Sequence, residues 1–253
     1  SDNSLINNTN SSMKTNLKNW DVVAVMKTNT WTIKIKLHTD LAPKTTTNFI
    51  GLSKKWYYDN LIFHRIIKWF MIQWGDPKGN GSWWESIYGK NFEDEFHKTL
   101  KNIKYSIAMA NSGKDTNGSQ FFINGTNNSH LDNRHSVFWQ VVEWMENVDK
   151  IIKVKTWEND KPEKDVKIIS IEIKEYNNGT LKDYKFDLKE SLQKLEDLVQ
   201  AKKTKKVEAW DRVKVHYIGT FEDGTKFDSS LDKWIPLEFL VWAAQMIKGF
   251  DEW

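Results

Sequence analysis

Residues 62–76 read IFHRIIKWFMIQWGD, and residues 105–123 read YSIAMANSGKDTNGSQFFI. Together they place Arg65, Gln73 and a set of bulky apolar side chains around a common surface without a nucleophile. That set suits a reaction that breaks no covalent bond, such as rotation about a prolyl peptide bond. The rotation faces a barrier of ~18–20 kcal/mol, because amide resonance is lost in the twisted state. Lowering it requires no acid, base or metal. It requires a dry pocket for the proline ring and a donor that favours a pyramidal nitrogen over a conjugated one. Each ~1.4 kcal/mol of preference for the twisted form is worth tenfold in rate. Arg65 is a permanently charged, geometrically rigid donor. Phe70, Met71, Phe122 and Leu131 suit the pocket lining, and Gln73, Asn111 and Gln120 suit contacts to a peptide backbone.

Taken singly, these residues have plainer readings. Arg65 fits a surface position on a strand, and Phe70, Met71 and Phe122 fit an ordinary core. His64, His130 and His135 follow no zinc-ligand spacing and no cysteine accompanies them, so no metal site is expected. The loop GDPKGNGS lacks the Lys-Ser/Thr ending of a phosphate loop, and no cofactor is expected. A net charge of +3, from 37 Lys+Arg against 34 Asp+Glu, argues against nucleic acid as a partner. The absence of cysteine excludes disulfides and thiol chemistry, and fits a cytoplasmic as well as an exported or tethered protein. No apolar run approaches the ~20 residues of a membrane span. Residue pattern alone leaves the function open.

The elements that must position these side chains are mostly short strands. Val22–Met26 and Thr32–Leu37 form a strand pair, the second alternating Ile33, Ile35 and Leu37 on one face. Pro43 opens a helix running to about Lys55, with Phe49, Ile50 and Leu52 on its buried side. Strands follow near 62–67, 70–73, 106–109, 121–124 and 137–142, then a helix near 145–154 and a strand over 166–173. The pattern predicts a mainly β fold, a closed antiparallel barrel capped by two helices. Residues 1–18 read as a disordered polar tail, left by processing or by the bounds chosen for the chain. Asn177-Asn178-Gly179 breaks the strand pattern, and residues 177–206 read as a helical linker opened by an Asp187/Glu190 capping box. From Val207 a β-rich segment begins, with Asp223-Gly224 as a hairpin turn.

The two opening stretches, with HLDNRHSVFWQVVEWMENVDKI at 130–151, closely resemble the cyclophilin family of peptidyl-prolyl isomerases. The similarity covers roughly residues 19–176. It implies cis–trans isomerisation of Xaa-Pro bonds in polypeptides, assisting folding. The alternative is a proline-peptide binding module, or a holdase chaperone whose turnover is incidental. The resemblance implies catalytic positions at Arg65, Phe70, Gln73 and His135. It implies substrate contacts from Met71, Ala110, Asn111, Gln120, Phe122, His130 and Leu131. His130 stands where many members carry Trp, a position that affects cyclosporin sensitivity in the family. Proline-containing polypeptides are thus the implied partners, with cyclosporin-like ligands as candidates. Residues 207–253 resemble the first half of an FKBP-type isomerase domain, an incomplete α+β segment. There Tyr217, Phe227, Asp228, Met246, Ile247 and Phe250 match pocket positions, and the segment is expected to be inactive by itself.

The composition holds one oddity, 14 Trp against 12 Gly. A usual glycine share of about 7% would give roughly 18. Against both families, Trp56, Trp69, Trp74, Trp83, Trp84, Trp139, Trp144, Trp210, Trp242 and Trp253 fall where the pattern has glycine. Trp31 and Trp234 follow on weaker context, and Trp20 and Trp157 are plausible additions. Glycine at 56 would cap a helix, at 74 and 83–84 would serve tight loops, and at 139 would allow close backbone approach. One reading makes these tryptophans aromatic contacts for a partner. The favoured one is a UGA codon that means glycine in the source and was translated as Trp, which suits the Lys/Asn/Ile-rich composition of an AT-rich genome.

Overall fold

The computed structural model describes residues 17–204, then 212–215, 217–221, 225–230 and 237–240. The polar tail expected over 1–18 falls outside the described residues up to position 16. The chain divides into two compact units, Ser1–Leu195 and Glu196–Trp253.

The first unit is built on one antiparallel sheet. In chain order its strands are β1 (Val22–Thr28), β2 (Thr32–Leu37), β3 (Arg65–Ile67), β4 (Met71–Trp74), β5 (Ser106–Met109), β6 (Phe121–Asn124), β7 (Val137–Glu143), β8 (Ile168–Asn177) and β9 (Thr180–Asp183). They are arranged in the order β3-β4-β6-β5-β7-β2-β1-β8-β9. Ile33, Ile35, Phe63, Ile72, Phe121 and Phe138 from these strands and loops fill one large core. Helix α1 (Pro43–Lys54) contributes Phe49, Ile50 and Leu52, and α2 (Met145–Ile151) contributes Val148 and Ile151. Both helices thus lie where the alternation and the Pro43 start signal place them. The N-cap residue of α1, Ala42, has no side-chain cap. The carboxylate of Glu95 accepts the Lys44 and Thr45 N–H groups instead, at 3.0 and 2.7 Å.

One sequence expectation is met in part and one changes. Among the described residues no strand-to-strand ladder joins the two ends of the sheet, since β3 is three residues long and starts after the stretch that reaches β8. The contact there is an isolated bridge between Ile62 and Lys167. Backbone hydrogen bonds run from Asn60 to Ile168, Phe63 to Val166 and Ile168 to Leu61, at 2.8–3.0 Å. The linker is also not wholly helical. Asn177-Asn178-Gly179, expected to break the strand pattern, is the tip of a β8–β9 hairpin with φ of 47° at Asn178 and 82° at Gly179. The turn is of the Asn-Gly kind that such hairpins favour. Helix α3 (Leu188–Thr204) follows, and Asp187 Oδ1 accepts the Glu190 N–H at 2.9 Å, as a capping residue should.

In the second unit β10 (Arg212–Val215) pairs with β13 (Leu237–Leu240), and β11 (Ile218–Thr220) pairs with β12 (Lys226–Ser229). The Asp223-Gly224 turn expected between β11 and β12 lies outside the described residues.

Among the described residues four tryptophans adopt left-handed backbone, Trp20, Trp56, Trp69 and Trp144, with φ between 55° and 74°. Trp56 stands at the C′ position of a Schellman ending. Its N–H reaches the Ser53 carbonyl at 3.0 Å, and the Tyr57 N–H reaches Leu52 at 3.1 Å. Trp20 and Trp69 hold the third position of turns closed by Asp21 N–H to Lys18 (3.1 Å) and Phe70 N–H to Ile67 (3.0 Å). Trp74 differs from its expected place in a tight loop. It ends strand β4, has no positive φ, and is fully buried. Trp139 is buried too, its ring centroid 3.7 Å from that of Phe49, and neither indole N–H has a partner among the described residues. Trp210, Trp234, Trp242 and Trp253 lie outside the described residues.

Candidate functional site

The ladder sets Arg65 opposite Gln73, Gln73 opposite Phe122, Phe122 opposite Ala108, and Ala108 opposite Val137. Directly opposed residues share one face of a sheet. One row therefore carries the arginine, the glutamine and the phenylalanine, while Ile66, Ile72, Ile107 and Ile123 point the other way into the core. On the Arg65 face, Met71, Ala108, Phe122 and Val137 form a second apolar cluster, with Ile67, Phe70, Ala110 and Leu131 packed around it. It is a small dry patch beside a permanent cation.

Hydrogen bonds fix the polar rim. The Gln73 side-chain amide donates to Gln120 Oε1 at 2.9 Å. The buried Gln120 amide donates in turn to the Gly81 and Trp83 carbonyls, at 3.2 and 2.9 Å. The Asn111 amide donates to the Arg134 carbonyl at 2.8 Å, so this side chain ties its loop to the one at 134. Gln73, Ala110, Asn111 and Gln120 line a cavity of about 70 Å³ together with Trp84. His135 Nδ1 lies 2.9 Å from the Met109 carbonyl, which makes Nδ1 the protonated nitrogen, and its ring meets Phe122 edge-on at 5.4 Å. His130 is exposed and stacks on Phe70 at 6.0 Å. The side chains that the resemblance singled out between 65 and 135 thus form one continuous neighbourhood.

In the second unit, the Tyr217 hydroxyl donates to the Asp228 carboxylate, which raises the phenol's pKa. Phe227 lies on β12, and Met246, Ile247 and Phe250 fall outside the described residues.

Three acidic or basic neighbours escaped the sequence reading. Asp160 Oδ2 lies 3.5 Å from Arg65 Nε, and the Asp160 carbonyl accepts the Ile66 N–H at 2.8 Å. Nothing in the spacing signals this, because the fold alone joins the two segments. Asp76 is fully buried and accepts the N–H groups of Lys78, Asn80 and Gly81, at 2.8, 3.1 and 2.6 Å. An aspartate heading a Pro/Gly/Asn-rich loop was a legible signal for such a turn. Lys161 lines a second cavity together with Arg65 and His64.

A family model described as cyclophilin type peptidyl-prolyl cis-trans isomerase/CLD matches residues 23–173. The chain belongs to the cyclophilin family. A model for FKBP-type peptidyl-prolyl cis-trans isomerases matches residues 203–253. Among cyclophilin relatives, peptidyl-prolyl cis-trans isomerase CYP71 of Arabidopsis thaliana is 48% identical over 150 residues, covering 59% of this chain and 24% of its own. Peptidyl-prolyl cis-trans isomerase cypE of Dictyostelium discoideum is 50% identical over 145 residues, covering 57% of this chain and 92% of its own. The chain thus spans about a quarter of the length of the first curated relatives it matches. A crystal structure of a Cryptosporidium parvum cyclophilin is similar at a TM-score of 0.60 and 34% identity, covering 62% of this chain and 99% of its own. A second structure of that protein, in the presence of the dipeptide Ala-Pro, gives 0.58 and 35%, covering 59% and 96%.

The imidazoles of this cyclophilin couple its stability to pH. Burial lowers the pKa of His38, His64 and His135, and for His135 the bond to Met109 and the charge of Asp94 only partly oppose it. The unfolded chain takes up these protons near pH 6.5, where the folded one does not, so stability falls as the pH drops through and below that value. Carboxylates held low by lysines, such as Glu93 and Glu172, act only below the ordinary carboxylate range. The thermal midpoint is therefore expected to decline between pH 7 and 5, and a flat calorimetric profile there would contradict it.

Proposed function

We propose that the cyclophilin module, residues 19–176, isomerises Xaa-Pro bonds in flexible polypeptides and so assists their folding. The row of Arg65, Gln73 and Phe122 beside a dry apolar cluster carries this reading. The proline ring is gripped by Phe122, Met71, Leu131 and Phe70. The Arg65 guanidinium donates where charge localises as conjugation is lost. Gln73, Gln120, Ala110 and Asn111 align the backbone, and neutral His135 borders the ring without proton transfer. The stacked His130–Phe70 pair forms the rim that a cyclosporin-like ligand would meet. The same reading treats the sheet as a closed barrel, supported by the hydrogen bonds between 60–63 and 166–168. Residues 177–206 then serve as a connector, and 207–253 as an FKBP-like segment with Tyr217, Phe227, Asp228, Met246, Ile247 and Phe250 at pocket positions.

Exchange NMR on a short Ala-Pro peptide tests the activity. Free prolyl bonds exchange over ~10–100 s. Catalytic amounts of protein should produce cis–trans cross-peaks at mixing times far shorter than that. Shifted peptide resonances without exchange would identify a binding module or holdase instead.

A further inference from the structure

Beside the proline site, and sharing Arg65 and Gln73 with it, lies an open cavity of about 500 Å³. His64, Asn80, Asn159 and Lys161 complete its polar lining. No carboxylate belongs to that lining, which holds two cations and three side-chain amides. The nearby Asp76 is committed to three backbone N–H groups. Asp160 sits against Arg65 Nε at 3.5 Å, but no carboxylate among the described residues pairs with Lys161. His64 is 7% exposed, and both its ring nitrogens lack a partner among the described residues. Burial keeps it neutral, so it offers one donor. A buried polar group left unmatched calls for an explanation, and an absent ligand is one. Gly81, with φ of 82°, covers it, and a Cβ there would stand 3.7 Å from His64 Nε2. The neighbouring 70 Å³ cavity has no charged residue in its lining and is far smaller.

We infer that the larger cavity is a specificity subsite for the carboxylate of an Asp or Glu close to the isomerised proline in the same polypeptide. Lys161 supplies the unpaired charge, Asn80 and Asn159 supply donors, and Arg65 ties the subsite to the reacting bond. This inference rests on the proposed isomerase reading. The contact is partly solvated, so the preference is modest, on the order of threefold in kcat/KM, and shrinks with added salt.

The test uses the full chain and peptides of one sequence around Ala-Pro that differ only in Glu, Gln or Lys at each flanking position. Wild type should favour Glu over Gln at one flanking position. Lys161→Gln should bring that ratio to about one, and Lys161→Glu should turn it towards the Lys peptide. Equal rates on Glu and Gln peptides in wild type, or an unchanged ratio in Lys161→Gln, would overturn the subsite. If no peptide is isomerised, the isomerase reading fails by itself. Dissociation constants of the same peptides then decide the subsite, with tighter Glu binding lost in Lys161→Gln supporting it and equal affinities sinking it.

Discussion

Arg65→Ala should lower kcat/KM on an Xaa-Pro peptide by about 10² to 10³, the usual cost of removing one preorganised donor from a developing charge. That corresponds to roughly 3–4 kcal/mol of transition-state stabilisation. Most of the loss should fall on kcat, because in the proposed reading ground-state grip comes from Met71, Phe122 and the packed Phe70 and Leu131, which the substitution leaves alone. Arg65→Lys keeps the charge but loses the planar fork, so it should recover only part of the rate. The Asp160 contact at 3.5 Å joins two side chains that are 46% and 39% exposed, and its direct energy is therefore ~1 kcal/mol or less. In the proposed reading the contact only helps to orient the guanidinium, so Asp160→Ala should cost well under the Arg65→Ala loss. Exchange NMR supplies the rates, and peptide titration supplies the affinities. A loss below tenfold for Arg65→Ala, with binding intact, would move catalysis away from this residue.

How much of this site the chain reveals by itself depends on the range of the signal. Period-two alternation in Met71-Ile72-Gln73-Trp74 separates the outward Met71 and Gln73 from the inward Ile72, and the ladder follows it. Local chemistry also survives: Pro43 begins α1, and Asp187 caps α3. What joins distant segments does not show. Glu95 caps α1 from another loop, Asp160 meets Arg65, and Lys161 shares a cavity with His64. Each rests on where long loops land, which no spacing encodes. The β8–β9 hairpin is a different case, because Asn178-Gly179 was a turn signal in plain view. Its strand β9 is short, with exposed and half-buried residues and no apolar alternation to announce it.

Replacing Trp20, Trp56, Trp69 and Trp144 with glycine should raise stability by about 1 kcal/mol per site, or roughly 4 kcal/mol together. In a chain of this size that is a rise of about 8–16 °C in thermal midpoint. All four have positive φ, where a β-carbon is strained and glycine is not. Three of the indoles are more than 60% exposed, so little burial is lost with them. Alanine is the control: Trp56→Ala keeps the left-handed strain at the Schellman C′ position and should gain much less than Trp56→Gly. Equal gains from both would mean that the bulky ring, not the backbone, is at fault. The buried pair should behave oppositely. Trp74→Gly or Trp139→Gly, made singly, removes a side chain around which the present core is packed, at a cost of ~3–5 kcal/mol unless the core closes over the space. Relief of the crowded Phe49–Trp139 contact and of the two unpartnered N–H groups offsets that cost. With a UGA codon read as glycine in the source, the natively made protein carries glycine at all these positions. Peptide masses across 56, 69, 74 and 139 from native material should then fall by the Trp-to-Gly difference at each site, and masses retaining tryptophan would reject the codon reading.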